Sequence, residues 1–150
     1  MLNTVHFSVG MAIGRYAPHP LVALLLGFIS HFVLDAVPHW DGSVGEFTAR
    51  KIHWNRIILL LPDFIASAVV GVLAWQWGWL GLDPMSWGVL AGAFGSLLPD
   101  MLWVPYFFMG LRWPQRLFGF HYRIQREVKF IYAIVPQTGL VVLAMWLLWN

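Results

Sequence analysis

Four long apolar stretches constrain this sequence more than any other feature. A helix needs about 20 residues to cross the hydrocarbon core of a bilayer. The stretches run from Pro20 to Val37, Ile57 to Trp75, Trp87 to Met109 and Val128 to Trp149. A shorter stretch, Thr4 to Tyr16, is interpreted as a fifth membrane helix, with a re-entrant helix as the alternative. Because 59% of the residues are hydrophobic and 11% are charged, we expect an all-α fold, a polytopic transmembrane helical bundle. It would form one domain, residues 1–150, with four to five membrane helices and an interfacial amphipathic helix.

The basic residues predict the orientation of this bundle. Apart from Arg15, the Lys and Arg residues lie in two segments, at Arg50, Lys51 and Arg56, and at Arg112, Arg116, Arg123, Arg126 and Lys129. The loop from Gln76 to Ser86 has none, so the positive-inside rule places that loop outside and both basic segments in the cytoplasm. The prediction is a multi-pass protein of the inner (plasma) membrane with a cytoplasmic N-terminus.

The segment from Trp113 to Lys129 is predicted to lie on the inner membrane surface, with arginines available to anionic headgroups. The basic residues flank apolar segments, as topology determinants do, so nucleic-acid binding is rejected and the lipid bilayer is the expected partner. The oligomeric state is left open by the sequence.

Three acids interrupt the apolar stretches at Asp35, Asp63 and Asp100. A charge at the bilayer centre costs about 3 kcal/mol or more unless it faces a partner or water. Steps of four residues from these acids and from His6 follow small residues, a pattern that brings helices close together. These stripes are His6, Gly10, Gly14; Asp35, His31, Gly27, Ala23; Asp63, Ser67, Gly71; and Asp100, Ser96, Gly92, Gly88. We therefore expect the acids and histidines to converge on one cytoplasmic-facing layer inside the bundle.

The types of side chain in this layer indicate a metal site. His31 and Asp35 lie one helical turn apart, and mixed imidazole and carboxylate ligands suit zinc, manganese or ferrous iron. The candidate ligands are His6, His31, Asp35, His39 and Asp100, and Asp63 is assigned as a further ligand or a catalytic general base. The alternative for His31 and Asp35 is a hydrogen bond that joins two helices, and for Asp63 and Asp100 it is such a bond or a protonated acid. For His6 the alternative is a hydrogen bond near the interface. For His121 an ordinary interfacial histidine is favoured over a ligand.

Two segments resemble known families. The N-terminal Val5-His6-Phe7-Ser8-Val9-Gly10 and the later Gly95-Ser96-Leu97-Leu98-Pro99-Asp100 resemble the bacterial inner-membrane-associated metal-dependent hydrolases. The Ser30 to His39 segment is similar to the His-x-x-x-Asp-x-x-x-His pattern of zinc-dependent phospholipase C. The resemblance implies an all-helical fold and metal-dependent hydrolysis, with His6, His31, Asp35 and Asp100 as ligands. One departure is that Met101, Leu102 and Trp103 follow Asp100, where the first family usually has a second Asp and a His.

The resulting hypothesis is a membrane-embedded hydrolase that uses a divalent metal, with zinc favoured over manganese or iron. It would act from the cytoplasmic side on a phosphate ester or a lipid-linked substrate. The alternative is a non-catalytic membrane protein, either an ion or proton carrier or an assembly subunit, whose buried acids serve another purpose.

Overall fold

The protein is all-α across the part that the computed structural model describes, residues 1–40, 54–81, 83–102 and 115–150. These residues form six helices, and the only bridge between extended segments that they contain joins His39 to Glu127. The helices are α1 (Asn3–Tyr16), α2 (Pro20–Asp35), α3 (Trp54–Gln76), α4 (Pro84–Met101), α5 (Gln115–Ile124) and α6 (Phe130–Trp149). The all-α prediction is thereby confirmed, including a helix in the predicted interfacial segment. Arg50, Lys51, Arg112 and the end of the apolar stretch toward Met109 lie outside the described residues.

The helix ends follow local sequence signals. Pro20 opens α2 at a position where its missing N–H costs nothing, and Pro38 follows the end of α2. Asp83 caps α4, since its Oδ1 accepts the N–H groups of Met85 at 3.0 Å and Ser86 at 3.1 Å. The Ser86 hydroxyl also donates to Asp83, and this hydrogen bond lowers the pKa of the Asp83 carboxyl.

Among the described residues, α6 is the one helix that is both long enough and apolar enough to cross a membrane. The helix α2 and the Leu61–Gln76 part of α3 are apolar but shorter, and α1 has only 14 residues. Length and composition therefore support one membrane helix and do not confirm the predicted four to five.

Glycines bring α1, α2 and α4 into backbone contact. A Cβ atom on Gly14 would overlap the backbone of Gly88, and one on Gly27 would overlap the carbonyl of Gly92. A Cβ on Gly71 in α3 would instead lie 3.7 Å from the Phe7 ring, an ordinary contact. Three of the four predicted small-residue stripes thus form the close-packed centre, and α3 lies farther out. Around this centre, α3 and α6 contact α1, and α5 contacts α2.

The bundle has two distinct ends. At one end the tips of α3 and α6 meet, with the rings of Trp77 and Trp149 at 5.5 Å. The Tyr16 hydroxyl at the end of α1 donates to the Leu147 carbonyl at 2.7 Å, which brings α1 to the same end. At the opposite end the C-terminal turns of α2 and α4 lie beside the start of α1 and helix α5, and here the predicted polar residues converge.

Candidate metal centre

Asp35, in the last turn of α2, is the centre of the polar layer. Its side chain is 1% exposed, and its two oxygens face different neighbours. Oδ1 lies 3.2 Å from His6 Nε2 and 3.9 Å from His39 Nε2, and 2.6 Å from the Met1 amine. Oδ2 lies 3.3 Å from His31 Nε2 and accepts a hydrogen bond from His121 Nε2. Four histidines therefore surround one buried carboxylate.

A backbone hydrogen bond determines which nitrogen of His31 carries the proton. His31 Nδ1 lies 2.7 Å from the Ser96 carbonyl oxygen on α4. A carbonyl can only accept, so Nδ1 is the donor, and in the neutral ring the Nε2 lone pair points into the cluster. Metal-binding histidines use this arrangement, in which the second nitrogen donates to a backbone carbonyl and fixes the ring. Ser96 belongs to the small-residue stripe, so helix packing also orients His31.

His39 is oriented in the same manner but by a different element. Its Nδ1 donates to the Val37 carbonyl at 2.8 Å, which turns Nε2 toward Asp35. Its backbone pairs with the segment after α5, where its N–H donates to the Arg126 carbonyl at 3.0 Å and its carbonyl accepts from Val128 at 2.8 Å. This pairing holds α5, and with it His121, beside the end of α2.

Asp100 closes the cluster on the α4 side. Its Oδ1 lies 3.5 Å from His31 Nε2, and its side chain is 38% exposed, whereas that of His31 is fully buried. His121 Nε2 lies 3.2 Å from His31 Nε2. The cluster therefore reaches the surface at Asp100.

The spacing of the donor atoms matches a metal coordination shell. Ligands bound at about 2.0–2.1 Å in a tetrahedron lie about 3.3 Å from each other. His31 Nε2 lies 3.3 Å from Asp35, 3.5 Å from Asp100 and 3.2 Å from His121, and His6 Nε2 lies 3.2 Å from Asp35. Because Nδ1 of His31 is a donor, the neutral ring presents its Nε2 lone pair to the oxygens of Asp35 and Asp100, so a proton or a metal ion is needed between these atoms. The donor set and these spacings fit a divalent ion with nitrogen and oxygen ligands. His121 Nε2, in hydrogen-bond contact with Asp35 Oδ2, and His39 Nε2, 3.9 Å from Oδ1, would have to shift for both members of each pair to bind one ion.

The structure does not bring Asp63 into this cluster. Asp63 Oδ2 accepts the Asn3 N–H at 2.6 Å, and Oδ1 accepts the Thr4 N–H at 3.0 Å and the Thr4 hydroxyl at 2.6 Å. The carboxylate therefore satisfies the first N–H groups of α1 from a neighbouring helix, as a cap residue does. This position explains the burial of Asp63 without a role as ligand or base, and it supports the helix that carries His6.

The structure thus gathers His6, His31, Asp35, His39 and Asp100, the five residues predicted as ligands, and adds His121. The sequence did contain a signal for His121. Leu117, His121 and Ile124 repeat at four and three residues, the spacing of one helix face, whereas Phe120 and Tyr122 are half exposed. The histidine is 4% exposed and sits on the inner face of α5.

Comparisons of the chain with family models, with curated proteins and with solved structures found no match.

Proposed function

We propose that this protein is a membrane-embedded, metal-dependent hydrolase whose centre is the cluster around Asp35. The observation that carries the proposal is the orientation of His31 and His39. Each donates its Nδ1 proton to a backbone carbonyl and directs Nε2 at the same buried carboxylate. With Nδ1 committed as a donor, the neutral ring of each presents its Nε2 lone pair to a carboxylate, so a proton or a metal ion must lie between them. The resemblance to the inner-membrane-associated metal-dependent hydrolases points to the same chemistry.

The distribution of polar and apolar side chains supports a multi-pass membrane location. Outward residues such as Val33 (60% exposed), Ile131 (68%) and Val135 (75%) are apolar, while the buried centre holds imidazoles, a carboxylate and serine hydroxyls. A water-soluble bundle has the opposite arrangement. The short helix α1 would then lie within the hydrocarbon region, because α2, α3, α4 and α6 contact it. The helix α2 would present its exposed apolar face to lipid.

The six clustered residues would act as the metal ligands. They are His6, His31, Asp35, His39, Asp100 and His121. A bound divalent ion supplies a Lewis acid that polarises the ester and lowers the pKa of a coordinated water. The half-exposed Asp100 marks the side from which substrate and water would enter.

We further propose an anionic substrate, a phosphate ester or a lipid-linked phosphate, that approaches from the cytoplasmic side. Arg116 and Arg123 are exposed on α5, on either side of the His121 position. Guanidinium groups bind phosphate oxygens through paired hydrogen bonds. In hydrolysis, the oxygen of water would form the new bond to phosphorus, the ester oxygen would leave, and that oxygen would take up a proton.

A proton carrier is the second candidate, since His31, His121 and Asp35 form a continuous chain of groups within hydrogen-bond distance. A carrier also needs a route through the other half of the bundle. There the glycine contacts between α1, α2 and α4 leave backbones touching, and this closure favours the hydrolase.

The test is metal analysis combined with a hydrolysis assay on the protein purified in detergent. We expect bound zinc, manganese or iron, and chelator-sensitive hydrolysis of phosphatidic acid or of bis-p-nitrophenyl phosphate. His31→Gln should remove both, whereas His19→Asn should leave both unchanged. His19 is exposed and only caps α2, a role that asparagine also fills. Proton flux in vesicles without metal binding would establish the carrier instead.

The orientation is tested by labelling single cysteines, since the chain has no native cysteine. Gln76→Cys should react with an impermeant reagent from outside the cell, and Arg123→Cys should react only after permeabilisation. The reverse pattern would move the centre to the outer face.

A further inference from the structure

Asp35 is placed as a bridge between two groups of ligands rather than as a ligand of one ion. Its Oδ1 faces His6 and His39, and its Oδ2 faces His31 and His121. A carboxylate that served a single ion would need only one of these groups around it.

The Oδ2 group is complete by itself. Because His31 Nδ1 is engaged with Ser96, His31 has a single lone pair to give, at Nε2. That atom lies beside Asp35 Oδ2 and Asp100 Oδ1, and His121 Nε2 completes the group. Four donors are the number that a tetrahedral ion takes, so one ion held by them would leave His6 and His39 without a metal.

The Oδ1 group provides a second, three-donor position. His6 Nε2 and His39 Nε2 both face Oδ1, and both imidazoles are fully buried. Nδ1 of His6 has no hydrogen-bond partner in the part of the chain that the structure describes, and the ring is held in place by stacking on the His31 ring of α2 at 4.0 Å. The Met1 amine lies 2.6 Å from the same oxygen, so an ion at this position would displace the ammonium group or bind the deprotonated amine as a fourth donor.

We propose that the centre binds two divalent metal ions bridged by the carboxylate of Asp35, one with His6 and His39, the other with His31, His121 and Asp100. This inference rests on the metal binding of the proposed hydrolase. Ions that share a carboxylate lie about 3.5–4 Å apart, the separation found in enzymes that clamp both the attacking and the leaving oxygen of a phosphate ester. A pair of ions therefore suits the phosphate ester that is proposed above as the substrate class.

The experiment is a titration of chelator-stripped protein in detergent with Mn²⁺, followed by metal counting and electron paramagnetic resonance. We expect two Mn²⁺ per chain and an exchange-coupled spectrum, in which the hyperfine spacing is half that of an isolated Mn²⁺. One ion per chain would overturn the bridged pair while leaving a metal-dependent hydrolase intact. No bound ion would overturn both proposals, and two ions with an uncoupled spectrum would overturn the bridge.

Variants assign each ion to its ligands. His39→Gln should reduce the count from two ions to one and abolish the coupled spectrum. His121→Gln should have the same two effects, because it removes a ligand of the other ion. His19→Asn, the exposed control, should keep two coupled ions. Two coupled ions in either His39→Gln or His121→Gln would overturn the proposed ligand groups. Each variant is shown to be folded by a melting temperature, measured in chelator, near that of the unmodified protein.

Discussion

The helices α1, α2 and α4 are built differently at their two ends. At the end that holds Gly14 and Gly88, backbones touch and no side chain lies between them. At the other end the same helices place His6, His31 and Asp35 around a common point. The glycine end determines how close the helices are, and that distance sets the spacing of donors at the polar end. The spacing of the donor atoms therefore depends on the close packing of the helices, and substitutions at either end test this dependence.

The largest loss of stability is expected at the glycine contact. Gly14→Ala places a methyl group against the backbone of Gly88, which cannot rotate away as a side chain would, so the helices must separate. We expect a loss of about 3 kcal/mol, the upper range for overpacking, measured by unfolding in detergent. Bound metal should also decrease, because the donors move apart.

The matched control is Gly139→Ala in α6, where a Cβ meets no atom within 4 Å. Alanine there should leave stability unchanged or raise it slightly, since it favours the helix. Equal melting temperatures for Gly14→Ala and Gly139→Ala would show that the backbone contact is unimportant.

The next largest effect is expected at Asp63. Asp63→Leu removes the acceptor for two backbone N–H groups of α1 and for the Thr4 hydroxyl. Leaving these buried donors without a partner should cost about 2 kcal/mol. Metal affinity should fall but not vanish, because α1 carries His6 while the other ligands are undisturbed.

Asp63→Asn provides the comparison, since its amide oxygen still accepts from α1. It should therefore lose less stability than Asp63→Leu and keep metal. Complete loss of metal in a stable Asp63→Asn protein would restore Asp63 as a ligand.

A smaller effect is expected at Thr4, on the other side of the same contact. Thr4→Val keeps the shape but removes the hydroxyl that donates to Asp63 Oδ1 at 2.6 Å, and should cost about 1 kcal/mol. Thr138→Val in α6 makes the same change at an exposed position and should have no measurable effect on thermal unfolding. A Thr4→Val protein as stable as Thr138→Val would exclude this contact as a stabilising one.

Much of the arrangement could be predicted from the sequence because it depends on periodicity. Gly10 and Gly14 follow His6 at intervals of four, and Gly92 and Gly88 precede Asp100 in the same way, so the inner faces of α1 and α4 were recognisable. Asp63 obeys the same pattern, but a carboxylate in an apolar helix can hold a metal or cap a neighbouring helix. Periodicity within one helix does not distinguish these roles, which depend on where the start of α1 lies.

His121 shows the other limit of sequence reasoning. Its position on the inner face of α5 fits the spacing from Leu117 and Ile124, but Phe120 fits that spacing equally well and is half exposed. The contact of His121 with Asp35 depends on the pairing of His39 with Arg126 and Val128. That pairing joins segments almost 90 residues apart, and nothing in either segment indicates the other. The sequence therefore predicted the helices and most of the residues that gather around Asp35, but not the connection that brings α5 to them.

The smallest effect on stability is expected at Asp100. A substitution there should affect metal binding without affecting the packing of the helices. Its side chain is 38% exposed, so Asp100→Asn, measured in the presence of chelator, should change the free energy of unfolding by less than about 0.5 kcal/mol. With metal present the unmodified protein should become more stable, because an ion that binds only the folded state stabilises it. Asp100→Asn should gain less, since it loses the charged ligand of the His31 and His121 group. A gain equal to that of the unmodified protein would remove Asp100 from the metal centre, whereas a large loss in chelator would assign it to helix packing instead.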